Sequence, residues 1–165
     1  MQCSTMLFIG REFMRDDVRV DFTLQSDAEH RLLLVTLGKI VTEASALAGY
    51  TAVEQFIAAQ GPHSGITDLS GVEKLNVSSD FIRFLAAKPP MIPDGMSRIA
   101  VASRADIYGV SRMFQLLRDC RGSYLEVIHT LKEAFELLGL ESPHFSTVVW
   151  PPVPAPISIS VQSGC

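Results

Sequence analysis

Apolar and polar residues alternate over residues 20–24, where Val20, Phe22 and Leu24 are set against Asp21 and Thr23. This is the two-residue period of a half-buried strand. Residues 26–30 supply turn chemistry and residues 31–37 form a β-rich apolar run, which together predict a hairpin. At Thr42 the period lengthens: Ala46, Tyr50, Val53 and Ile57 share one helical face, and Gly61-Pro62 ends the helix. A short strand follows over residues 65–69, running into a Ser70-Gly71 turn. Ser78-Ser79-Asp80 reads as a helix start, with Ile82, Leu85 and Ala86 on one stripe and Pro89-Pro90 as the stop.

Residues 97–102 are apolar on both faces, as expected of a strand inside a sheet covered by helices. A helix over residues 106–119 then places Val110, Met113, Phe114 and Leu117 on a core stripe. A strand over 123–128 and a last helix carrying Leu131, Ala134, Phe135 and Leu138 complete the series, with Gly139 as its cap. From the second strand onward, strands alternate with helices, which predicts an α/β fold with a largely parallel sheet and right-handed crossovers. The pattern divides the chain into an N-terminal extension (1–19), a folded domain (20–140) and a Pro-rich irregular tail (141–165). Residues 157–161 alternate like a strand that could dock on a sheet edge.

Composition changes this picture only by exclusion. Apolar residues make up 47% of the chain, enough for a core. A net charge of −4 lacks the basic surplus that general nucleic-acid binding needs. Mean hydropathy is positive, +0.24, yet no apolar run approaches the roughly 20 residues of a spanning helix, so no membrane insertion is expected. Cys3, Cys120 and Cys165 form no CxxC pair, and isolated thiols in odd number suit a reducing cytoplasmic setting.

Candidate chemistry is sparse. Asp68 follows a strand and precedes a turn, with no second acid, His or Lys near it in sequence; anchoring the loop through Asx-type bonds is its expected role. His30, His63, His129 and His144 are scattered without ligand spacing, so no metal site and no cofactor are expected. No GxSxG elbow, Walker loop or GxGxxG loop occurs. The expectation is a protein that is not an enzyme. Arg98, Arg104, Arg112, Arg118 and Arg121 outnumber Asp106 and Asp119 in their stretch. Arg104 and Arg112 are the candidates for a docking patch for an acidic partner or an anionic ligand.

Three segments, in order, carry a resemblance: RLLLVTLGKIVT (31–42), TDLSGV (67–72) followed by VSS (77–79), and IAVASRADIYGVSRMF (99–114). Together they resemble the STAS superfamily, in particular small bacterial proteins related to anti-sigma-factor antagonists (SpoIIAA-like). The resemblance covers about residues 20–140. It implies an α/β domain with a four- to five-stranded, mostly parallel or mixed sheet and helices packed mainly on one side. It also implies a non-catalytic module that binds a protein partner, often a regulatory kinase. In such antagonists a serine at the start of the second main helix is phosphorylated, and Ser78 and Ser79 occupy that place. The family pattern has Asp before the serines and Gly after them; here Val77 and Asp80 stand there, with Asn76 one place further back.

A second expectation is a small-ligand or lipid carrier, since STAS-like layering resembles CRAL-TRIO-type carrier domains and the chain is rich in Leu, Phe and Met. It requires an apolar cavity of a few hundred Å³ between the first helix and the sheet. A homodimer is also expected if one sheet face lacks helices to cover it.

Overall fold

Strands β1 (Phe22–Asp27) and β2 (Leu32–Leu37) form the expected hairpin, antiparallel, with Phe22 opposite Leu37 and Asp27 opposite Leu32. The computed structural model describes residues 21–122 and 124–149. The N-terminal extension and the strand expected at residues 157–161 lie outside the described residues. After β2 come β3 (Ile40–Thr42), α1 (Glu43–Gln60), β4 (Ser64–Asp68), β5 (Lys74–Asn76) and α2 (Ser79–Ala87). Then follow β6 (Arg98–Val101), α3 (Ala105–Asp119), β7 (Glu126–Ile128), α4 (Leu131–Leu137) and β8 (Ser146–Thr147).

Among the described residues, six strands make the main sheet in the order β7-β6-β4-β2-β1-β8, one more than the most expected. β2, β4, β6 and β7 run parallel, while β1 pairs antiparallel with both β2 and β8. β3 and β5 form a separate two-stranded parallel ribbon that sets Thr42 beside Asn76. The extra strands β3, β5 and β8 are only two or three residues long, too short to display a period.

The parallel strands explain the doubly apolar runs. Leu33 and Val35 of β2 face α1 and pack with Ala52 and Val53. Leu32 and Leu34 face the other way, joining Ile66, Ile99 and Val101 beneath Leu131, Ala134 and Phe135 of α4. Among the described residues, α4 therefore covers the second sheet face over β2, β4 and β6, so that face is not wholly bare. Side-chain caps fix the helix starts. The Thr42 hydroxyl accepts from Ser45 N while Ser45 Oγ accepts from Thr42 N, a reciprocal cap at the start of α1. Ser78 and Thr130 cap α2 and α4 in the simpler way.

On α3 the innermost residues are not the expected core stripe. Val110, Met113, Phe114 and Leu117 are only partly buried, and the fully buried positions are Ile107, Ser111, Gln115 and Arg118. The innermost stripe is rotated about one residue, roughly 100°, round the helix from the apolar one. Three of its four members are polar because each finds a partner. Ser111 Oγ donates to Ile107 O at 2.9 Å, the Gln115 amide donates to Leu125 O, and Arg118 reaches α2.

The irregular tail contributes to the sheet in its first part. β8 adds to the edge of β1, and Val148 N donates to Leu24 O at 2.8 Å. Asp27, 1% exposed, accepts hydrogen bonds from Glu29 N, His30 N, the His30 ring and, across 117 residues, His144 N.

Candidate functional site: an apolar cavity between sheet and helices

Residue size along the strands opens a cavity on one sheet face. β4 and β6 pair with Gly65 opposite Arg98 and Thr67 opposite Ala100, and these positions line the space beneath α1, α2 and α3. The intervening positions, Ile66, Ile99 and Val101, fill the face under α4. Gly65, Thr67 and Ala100 therefore put small side chains on this face, where Arg98 at the strand end is the large exception, while the intervening positions are large. Gly49 on α1 and Ser111 on α3 add two further small positions from the helix side. The result is a cavity of about 200 Å³, walled by α1, α2, α3 and the loop carrying Pro90, Met91 and Ile92. Its lining is overwhelmingly apolar, with Val35, Ile82, Leu85 and Phe114 among its walls.

The polar corner of this cavity is built by Arg118 and Tyr50. Arg118 is 5% exposed. Its Nη1 donates to Lys88 O at 2.6 Å, and its Nη2 to Leu85 O at 3.1 Å and to the Tyr50 hydroxyl at 3.4 Å. Its guanidinium carbon lies 5.2 Å from the centroid of the Phe114 ring. No carboxylate forms an ion pair with it among the described residues. The Tyr50 hydroxyl donates in turn to Pro89 O, and Lys88 Nζ stands 5.2 Å from the Tyr50 ring centroid. Burial pushes the Tyr50 phenol above its ordinary value and Glu54 adds to this, while Arg118 pulls the other way. The phenol stays protonated and remains a donor.

The candidate switch residues lie at the far end of α2, on the surface. Asn76, Ser78, Ser79 and Asp80 are all exposed. Ser78 Oγ accepts from Phe81 N at 3.1 Å as the helix cap. It also donates to Glu43 Oε1 at 2.7 Å, and Ser78 N donates to the same oxygen at 3.0 Å. These bonds hold the Glu43 carboxyl below its usual range. The starts of α1 and α2 are thereby joined side by side. Asp80 pairs with Arg83 at 2.8 Å. Ser79 lines a surface cleft of about 320 Å³ together with Glu73, Lys74 and Asp106.

The arginine cluster is dispersed by the fold. Arg104 pairs with Asp106 at 3.1 Å, at the start of α3. Arg112, about 12 Å further along the helix axis, donates to the Gln115 amide oxygen. Arg98 pairs with Asp94 at 2.8 Å, and Arg118 is inside. The sequence reading thus missed Arg118 as a cavity residue. The available signal was its place four, seven and eleven positions after Phe114, Ser111 and Ile107, on the same helical side.

Asp68 anchors its own turn, as expected: its carboxylate accepts from Ser70 N at 2.9 Å. The histidines are separated. His30 pairs with Asp27, His63 bonds Gly61 O at 2.8 Å and meets Phe56 edge-on, and His129 stacks on Tyr108 with centroids 4.4 Å apart. Among the described residues no three His, Cys, Asp or Glu side chains gather as metal ligands, and no helix is long and apolar enough to cross a membrane. In comparisons with known proteins, no family model, no curated sequence and no solved structure matches this chain.

Proposed function

We propose that the domain binds a small apolar or amphipathic molecule in the cavity between its sheet and α1–α3. The observation that carries this reading is the apolar cavity of about 200 Å³. Protein interiors are close-packed, and voids larger than a water are few. A ligand that fills the space takes its apolar lining out of water and binds only the folded state, so binding and stability are coupled.

A thermal-shift panel of six- to ten-carbon alcohols, carboxylates and single-ring aromatics tests the reading. A ligand present at about 100 times its Kd stabilises the fold by about 2.7 kcal/mol, so at least one compound is expected to raise the Tm by several degrees. NMR titration should then move resonances of Ile82 and Phe114. A panel without any shift in either measurement overturns the proposal.

A second reading, the interaction module with a serine switch, is supported by the Ser78–Glu43 link between two helices that wall the cavity. A phosphate on Ser78 places roughly −1.5 to −2 charges against the Glu43 carboxylate. Ser78→Glu is expected to break the link, lower stability by about 1 kcal/mol and change ligand affinity. If Tm and affinity both stay at wild-type values, the switch is excluded at this residue.

A further inference from the structure

We infer that the cavity selects a monocarboxylate, with its apolar chain or ring among Val35, Ile82 and Phe114 and its anionic end at Arg118. The inference rests on the ligand-binding reading above and adds the chemical class of the ligand. Two full charges stand on the cavity wall among the described residues: Arg98 is paired with Asp94, whereas the buried Arg118 has two backbone carbonyls and a phenol as partners. The carbonyls belong to Leu85 and Lys88 at the C-terminal end of α2. A helix C-terminus supplies about half a negative charge, and Arg118 also lies in the last turn of α3, so helix ends answer its charge while no carboxylate pairs with it among the described residues. Three acceptors also answer a group with five N–H donors.

Capping α2 alone would not require a cation to face an apolar cavity. Buried charges are ordinarily paired with an opposite charge. A carboxylate suits the position because it matches the planar fork of the guanidinium and accepts two parallel N–H bonds. Tyr50, 3.4 Å from Nη2, stands at the same corner. Lys88, over the Tyr50 ring, adds a second positive charge nearby. Size limits the ligand further. A dry cavity of about 150 Å³ accepts benzene, so one of about 200 Å³ suits roughly eight to ten non-hydrogen atoms.

The test is an NMR titration of the full chain with hexanoate against 1-hexanol and benzoate against benzyl alcohol. The two pairs separate an aliphatic source of the carboxylate from an aromatic one. At least one acid is expected to bind about tenfold tighter than its alcohol, the scale of one hydrogen bond to a charged group. Arg118→Gln should abolish that preference, each acid and its alcohol then binding within about twofold of one another. If this variant does not fold, the wild-type preference decides the matter by itself. Alcohols binding as tightly as their acids would overturn the carboxylate assignment and leave the cavity reading standing. If neither acids nor alcohols bind, the cavity reading fails and this inference fails with it.

Discussion

At the scale of single residues, small side chains decide what this interior can do. Gly49 lies within α1, where a glycine costs about 1 kcal/mol relative to alanine. A Cβ there would meet Leu37 Cδ2 and Phe22 Cδ1 at 3.8 Å, ordinary contact distances. Gly49→Ala is therefore expected to raise stability by about 1 kcal/mol, read as a higher urea midpoint with an unchanged slope. A lower midpoint would mean that α1 needs the glycine for its approach to the sheet. Gly65 differs, since a Cβ would come within 2.8 Å of Ile92 Cδ1, so this position keeps Ile92 close to the cavity floor. Neither role was legible in the sequence. A glycine within a helix or strand pattern marks a packing requirement without saying which neighbour imposes it. The buried polar stripe of Ser111, Gln115 and Arg118 was hidden for a related reason. Hydropathy ranks these residues as surface, and only their tertiary partners make burial tolerable.

At the scale of elements, the hairpin and the segment after α4 are locked through one carboxylate. Burial alone would push the Asp27 carboxyl upward, but hydrogen bonds from the His30 ring, His30 N and His144 N outweigh it and bring the value to about 2. The bond to Asp27 raises His30 above its ordinary value, against a smaller effect of desolvation. The Asp27 contribution is complete above its unfolded value of 3.8 and is lost as pH falls toward 2. The His30 contribution is complete below 6.5 and is lost as pH rises through its raised folded value. The lock should be tightest between about pH 4 and 6.5. Asp27→Asn should lower stability near pH 5 by about 2 kcal/mol, the scale of hydrogen bonds to a charged group, and should flatten both limbs of the Tm–pH curve. A wild-type Tm that does not vary between pH 3 and 8 would contradict this account. The order of long elements was readable because α1, α3 and the parallel strands are long enough to show their periods. The lock was not, because His144 contributes its backbone N–H and no side-chain pattern announces that.

At the scale of the whole molecule, the sheet separates two unlike layers. Beneath α4, Ile66, Ile99 and Val101 meet a filled apolar layer. On the opposite side Gly65, Thr67 and Ala100 leave space under three helices, with Arg118 at its corner. The same strands thus carry a filled layer on one face and leave space on the other. The sequence showed that the strands were apolar on both sides; which side held the small residues became visible only with the register of β4 against β6.

The pairing of β1 with β8 bears on how the protein is made. β1 is among the first described elements to be synthesised and β8 the last, so the sheet edge cannot close until residues 146–147 have emerged. At roughly 5 to 20 residues per second, the nascent chain spends some seconds with that edge open and with Asp27 short of the His144 N–H. During synthesis, the short segment after α4 acts as the closing fastener of a sheet whose other strands are already laid down.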